Sequence, residues 1–214
     1  MKQSIIVVGA GGHASVVADA ILVSGSNIIG FTDSDPCRHG ASLYGLSVLG
    51  DDEQVLSRYQ PDNLMLANGI GGIRTTERRR MVQTRLQDSG WRFVTVCHPS
   101  AIVSPRANIA ESVQLFAGSI VQIGAVIGAG SIVNTGAVVE HDCDIGEYVH
   151  VAPGALLCGN VKVGEHSHVG AGAVVRQGVQ LGPNTIVGAG AVVVENFSGC
   201  LLTGIPARPA GPKS

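Results

Sequence analysis

Among the seven histidines of this sequence, His141 has the neighbours that chemistry requires. It lies in Val139-Glu140-His141-Asp142-Cys143-Asp144, with carboxylates at Glu140, Asp142 and Asp144 around it. A carboxylate beside an imidazole orients the ring and stabilises its protonated form. Such a histidine can take the proton from an attacking nucleophile, a contribution of about 10²- to 10⁴-fold in rate. The others lack a comparable setting. His39 lies in a polar loop and His98 in a His-Pro-Ser turn, while His166 and His168 stand two apart with no third histidine to complete a metal trio, so no metal is expected. The five cysteines are odd in number, far apart and without CxxC spacing, which argues against a disulfide framework or a zinc knuckle. None has a nucleophile's surroundings.

A second pattern opens the chain. The apolar run Ser4 to Val8 meets Gly9-Ala10-Gly11-Gly12-His13-Ala14, after which a helix-like stretch continues through Val16, Val17, Ala20 and Ile21. A glycine turn between strand and helix leaves backbone N–H groups free near a helix N-terminus, suited to phosphate or ribose. Gly9-x-Gly11-x-x-Ala14 loosely fits a dinucleotide fingerprint, with Asp33 about 20 residues on as a ribose partner. A turn needed only for packing would read the same way.

The element that must hold His141 is a repeat. From Val103, every sixth residue to Val193 is Ile, Leu or Val, sixteen positions without an insertion. Four residues after these aliphatics come small or β-branched residues such as Ala107, Ser119, Ala125, Ala137, Cys143 and Ala155. A period of six fits neither an α-helix nor simple strand alternation. It fits a hexapeptide β-helix, each hexad a short strand and turn on one wall of a prism, with the aliphatic pointing inward. In the left-handed form three hexads make a coil, giving about five coils and a prism roughly 25 Å tall at the usual strand spacing. Stacking of coils buries a continuous core that no single hexad supplies.

Before the repeat, strands alternate with helices. A strand over Ile28 to Phe31 ends at Asp33 and Asp35; a short helix from about Asp51, a strand over Leu64 to Ala67 and the glycine-rich Gly69 to Gly72 follow. A helix from an N-cap at Thr75 to about Ser89 and a strand over Arg92 to Val96 complete the segment. This alternation implies a small parallel, Rossmann-like α/β domain. The expected division is residues 1–97, an α/β domain, and 98–214, a left-handed parallel β-helix with a C-terminal tail.

Charged residues make up 14% of the chain, low enough to imply extensive burial against sister subunits. The one basic run, Arg78-Arg79-Arg80, reads as a solvated helix face, so a nucleic-acid partner is not expected. No signal peptide or membrane-length apolar run is visible. The expectation is a reduced, cytoplasmic protein with no membrane partner.

The hexapeptide repeat, together with the tail Thr203-Gly204-Ile205-Pro206-Ala207-Arg208, resembles the left-handed β-helix acyltransferases. Adding the Gly-Ala-Gly-Gly-His turn, the whole chain resembles the sialic acid O-acetyltransferase and amino-sugar N-acetyltransferase family of bacterial surface-glycan pathways, which include O-antigen and lipopolysaccharide synthesis. The resemblance implies a homotrimer that binds acetyl-CoA in grooves between prisms. It implies that the small domain holds the nucleotide of a nucleotide-sugar whose sugar reaches towards the prism. Carried over by motif, Gly11, Gly12 and His13 line the phosphates, Asp33 and Asp35 meet base or ribose, and Gly69 offers backbone contacts.

The stretch Asn134 to Asp142 matches the family's catalytic segment: His141 is the base, Asp142 its partner (often Glu in the family), and Asn134 lies near the sugar. His150 matches a second histidine near thioester or substrate, Gly159 could hold the acetyl carbonyl, and Arg208 belongs to the cofactor-binding tail. The implied activity is acetyl-CoA-dependent N-acetylation of a nucleotide-linked 4-amino-4,6-dideoxy sugar, with GDP-perosamine the nearest match. A UDP-linked sugar, sialic acid O-acetylation, a non-catalytic sugar-nucleotide scaffold and an oxidoreductase are the alternatives. The zinc-binding pattern of the β-helix carbonic anhydrases is absent.

Overall fold

The structure, a computed structural model, describes residues 4–72 and 75–209; the first three residues and the last five of the expected tail lie outside them. The chain divides into two compact units, residues 1–72 with 78–99, and residues 100–214 with 73–77.

In the first unit, β1 (Ser4–Val8), α1 (Gly12–Val23), β2 (Ile28–Thr32), α2 (Asp52–Leu56), β3 (Leu64–Asn68) and α3 (Glu77–Asp88) alternate. The three strands form a parallel sheet in the order β2-β1-β3. Ile5 to Val8 are all buried, as a strand covered on both faces demands. Val8 pairs with Thr32 on one side and Asn68 on the other, so the three strands end together. The chain leaves β1 for β2 on one side and later returns for β3 on the other. That reversal makes the carboxyl end of β1 a topological switch point, where open α/β sheets bind ligands.

Two expectations are corrected here. The Arg78–Arg80 run is not uniformly solvated: Arg79 is only 1% exposed. Its Nη1 donates to the carbonyls of Asn68 and Ile70, both at 3.0 Å. Asn68 in turn donates from Nδ2 to Gln83 Oε1 at 3.0 Å and accepts from Ile70 N. A guanidinium here satisfies carbonyls that the glycine-rich turn after β3 leaves without a ladder. The strand over Arg92 to Val96 shrinks to one bridge between Phe93 and Leu66, and Val96–Cys97 is a separate short strand. Leu66 receives Val94 N and donates to Arg92 O, and the contact with β3 stops there. A hairpin pairing Ser42–Leu43 with Leu46–Ser47 was not legible beforehand; Tyr44 and Gly45 turn it with φ of 51° and 80°, which suits a tight two-residue hairpin turn.

The second unit is a parallel β-helix. Sixteen two-residue strands follow one another from Ile102–Val103 to Val192–Val193, and the second residue of each is the aliphatic of the repeat. The strands stack into three sheets, each residue pairing with the one eighteen positions later, as Val121 with Val139 and Val139 with Leu157. From Leu115 onward the inward aliphatics are buried and form one column with Ala125, Ala137, Cys143 and Ala155 at the narrow corners. Only Val103 and Ile109, at the first coil, are partly buried.

Leu157 sits mid-column with no exposure. Leu157→Ala is expected to destabilise the fold by about 2–5 kcal/mol, the range for emptying a buried leucine site, read as a lowered denaturation midpoint.

Candidate active site

His141 and Asp142 occupy the turn between strands Val138–Val139 and Asp144–Ile145, on one edge of the prism. The His141 Nδ1 lies 2.9 Å from Asp142 Oδ2. A carboxylate only accepts, so Nδ1 is the donor, and in the neutral ring the lone pair is on Nε2. Asp142 adopts φ 59°, a left-handed conformation that aspartate tolerates better than most residues. The backbone of the pair is held from both sides: Asp142 N donates to Ile123 O at 3.1 Å, and Asn160 N donates to His141 O at 2.9 Å. Half of the His141 side chain is exposed, so the imidazole is open to solvent. Neither Glu140 nor Asp144 joins the ring; only Asp142 does so among the described residues.

Room for the pair comes from the adjacent coils. A Cβ on Gly159, the equivalent position one coil later, would meet His141 Nε2 and Cε1. A Cβ on Gly124, one coil earlier, would meet Asp142 Oδ1. Gly159 N makes no hydrogen bond among the described residues. Gly124 escaped the sequence reading; its signal was its distance of one coil from Asp142.

Asn134 and His150 lie elsewhere on the prism. Asn134 is in the turn between Ile132–Val133 and Val138–Val139, a different edge from His141, and His150 is on the sheet that leads into it. Asn134 Oδ1 accepts from Thr135 N at 2.8 Å, which turns Nδ2 towards His150 Nε2 at 3.0 Å. His150 Nε2 is therefore an acceptor here, not a free base. The His168 ring meets that of His150 edge-on at 4.9 Å, and burial holds His168 below the ordinary histidine pKa. A single chain thus joins Gly159 to His141 and Asn134 to His150, but does not join the two groups.

A groove of about 600 Å³ crosses the sheet that carries Asp144–Ile145 and runs towards its edge at Gly146 and Gly164, away from His141; Lys162, Gln180, Asn196 and Phe197 line it. Arg208 pairs with Glu195 at 2.7 Å and donates to Ala207 O.

In the first unit a cavity of about 440 Å³ opens at the switch point, between the ends of β1 and β2 and the flanks of α2 and α3. Gly9 and Asp33 line it, with Asp51, Glu53, Arg78 and Met81. Asp33 is largely committed to its own backbone: Oδ2 accepts from Ala10 N and Oδ1 from Asp35 N, both at 3.0 Å. Asp35 caps Cys37 N and does not line the cavity, while His39 holds the carbonyl of Asp33. Gly11 and Gly12 face open space, and α1 starts without a side-chain cap. Gly69 is needed for close approach, since a Cβ there would meet Ala14 Cβ at 2.7 Å; its N–H is already given to Val8 O. His13 packs against Gly71 across the same turn. The sequence reading did not single out Glu53, Arg78 or Met81 for this cavity, because no motif marks them.

Comparison with known proteins supplies an independent line. The family described as the PglD N-terminal domain matches residues 4–85, and that of the bacterial transferase hexapeptide matches 124–159 and 160–195. The acetyltransferase domain of PglB from Neisseria gonorrhoeae FA1090, solved with acetyl coenzyme A, is 35% identical over 98% of this chain and 100% of that one, with a TM-score of 0.90. PerB from Caulobacter crescentus, solved with CoA and GDP-perosamine, is 36% identical over 97% of each chain, with a TM-score of 0.88. WeeI from Acinetobacter baumannii AYE is 26% identical over 96% of this chain and 99% of that one, with a TM-score of 0.81.

Gly159→Ala tests the geometry of the His141 edge. Its added methyl group displaces the imidazole, and acetyl transfer is expected to fall by about 10²-fold, as losing a positioned base would cause, with the thermal unfolding midpoint unchanged within a few degrees.

Proposed function

The chain belongs to the hexapeptide-repeat acetyltransferases with a PglD-type N-terminal domain, and from that premise we propose that it acetylates the amine of a nucleotide-linked 4-amino-4,6-dideoxy sugar. It is an acetyl-CoA-dependent sugar N-acetyltransferase of the PglB and perosamine type. GDP-perosamine is the acceptor we favour, because PerB is solved with it and spans nearly the same chain. The observation that carries the reading is the His141–Asp142 pair, with Gly159 one coil on leaving room for the imidazole.

In the proposed reaction the sugar amine attacks the thioester carbonyl of acetyl-CoA directly. His141 Nε2 takes the proton as the C–N bond forms, and Asp142 stabilises the resulting imidazolium. Gly159 N–H donates to the carbonyl oxygen as it gains charge. The C–S bond then breaks and the departing CoA sulfur recovers the proton from His141. No acyl-enzyme forms: Cys143, the nearest cysteine in sequence, is buried, and that burial raises its thiol pKa to about 11. The groove beginning at Asp144 offers one wall for acetyl-CoA, and the α/β unit holds the nucleotide at its switch-point cavity. Arg208 closes the cofactor end of the prism.

The working form we propose is a homotrimer whose neighbouring prism supplies the second wall. Its support is the low charge of the chain and the exposed apolar residues Ile102, Ile123 and Val126 on the outer prism. No helix among the described residues is long and apolar enough to cross a membrane. A cytoplasmic step in O-antigen or lipopolysaccharide synthesis would fit an enzyme that uses acetyl-CoA and a sugar nucleotide.

The test is free-thiol release from acetyl-CoA with GDP-perosamine, a UDP-linked 4-amino sugar or sialic acid, with the product analysed by mass spectrometry. Turnover with a nucleotide-linked amino sugar, yielding an amide resistant to mild alkaline hydrolysis, is the expected result. Turnover with sialic acid alone, yielding a labile ester, would overturn the acceptor assignment, and silence with all three would favour a non-catalytic scaffold.

A further inference from the structure

The Asn134–His150 group differs from everything around it on the prism, and its role rests on the sugar N-acetyltransferase reading above. The later turns of the same edge are built from small residues: Ala152-Pro153-Gly154-Ala155, Gly170-Ala171-Gly172-Ala173 and Gly188-Ala189-Gly190-Ala191. Asn134-Thr135-Gly136-Ala137 instead places two polar side chains there. Asn134 is only partly buried, so water could serve its amide. Protein groups take both ends of it all the same.

Asn134 Oδ1 accepts from Thr135 N at 2.8 Å. A backbone N–H can only donate, so the amide has one orientation, and Nδ2 donates to His150 Nε2 at 3.0 Å. A neutral imidazole that accepts at Nε2 carries its proton on Nδ1. Asn134 N also donates to Val151 O at 2.9 Å, so backbone and side chain tie the same two coils together. His150 is only 7% exposed. One coil on, His168 meets its ring edge-on at 4.9 Å. The Nδ1 of His168 is buried without a hydrogen-bond partner, and burial also holds this ring below the ordinary histidine pKa. A proton on that nitrogen would be an unpaired buried donor, so the neutral ring fits there. Along the sheet the two rings are flanked by Ile132 and Ile186, which hold them laterally and bring no charge.

These contacts leave one N–H of Asn134 Nδ2 without a partner among the described residues. We propose that His150 is a positioning residue: it fixes the direction of that N–H, which donates to an oxygen of the acceptor sugar. His168 backs the His150 ring. Neither ring takes a proton during acetyl transfer, which stays with His141. Without His150 the amide is anchored at Oδ1 alone and turns about its last side-chain torsion, which is broad for asparagine.

The experiment joins nitrogen NMR of the imidazoles with steady-state thiol release, on the full chain as wild type, His150→Leu and His150→Gln. The acceptor is the amino-sugar nucleotide that wild type turns over best. NMR of wild type is expected to place the His150 proton on Nδ1. In His150→Leu the acceptor for Asn134 Nδ2 is gone, and KM for the sugar is expected to rise about tenfold, the weight of one neutral hydrogen bond. KM for acetyl-CoA is expected to stay unchanged. In His150→Gln the side-chain oxygen accepts in place of the ring, and most of the loss is expected to be recovered. Unfolding midpoints measured alongside show that the variants fold. A loss in His150→Gln as deep as in His150→Leu would make the ring itself the active group and overturn the positioning role. A rise in KM for acetyl-CoA in place of the sugar would overturn it as well. An Nε2–H tautomer in wild type would overturn it whatever the turnover. Silence of wild type with every amino-sugar nucleotide, the Nδ1–H tautomer being present, would overturn the sugar acetyltransferase reading and the role of His150 with it.

Discussion

At each edge of this prism a residue lies directly under its counterpart eighteen positions later, and the space between coils is one strand spacing. Two bulky side chains cannot follow one another in such a column unless they lean outward or stack. The His141 edge solves this by alternation: Gly124 below Asp142, and Gly159 above His141. The same spacing fixes the backbone, because Asp142 N and Asn160 N tie the turn to the coils on either side. The imidazole is thereby held by the solenoid rather than by a pocket, which is why it can remain half exposed and still have a defined orientation.

The edge at Tyr148 resolves the same constraint differently. Tyr148 and His166 follow each other one coil apart and stack at 6.0 Å, after Gly130 has made room below the tyrosine ring. His150 and His168 pack edge-on along a neighbouring sheet. These contacts fill and stiffen the surface. The difference at His141 is that the next coil contributes no side chain at Gly159, so no bulk lies over the imidazole.

Much of this was legible because the repeat is strict. Sixteen aliphatics at six-residue spacing define the inward column, and the structure places each of them as the second residue of a strand. Once three hexads are known to make a coil, Gly159 must neighbour His141. The partnership of Asn134 with His150 was not legible in that way, since it depends on an amide orientation set by Thr135 N. In the α/β unit the pattern marked strands and the glycine turn, but not how side chains would be spent. Asp33, read as a base or ribose partner, lines the cavity and also braces Ala10 and Asp35. Arg79 looked solvated within a basic run and proves to be the buried clamp of the turn after β3. Both roles have one cause. Loop backbone groups buried near a sheet end need partners, and a sequence does not say which nearby side chain will provide them.

The central claim is that His141 acts as the base while contributing little to holding either substrate. It is tested most directly by measuring, on one preparation of His141→Asn, the rate of thiol release and the binding of acetyl-CoA and GDP-perosamine by calorimetry. The account predicts a rate lower by about 10²- to 10⁴-fold with both dissociation constants within a few-fold of wild type. Turnover close to wild type would remove His141 from the chemistry, and loss of rate accompanied by equal loss of binding would make it a binding residue instead.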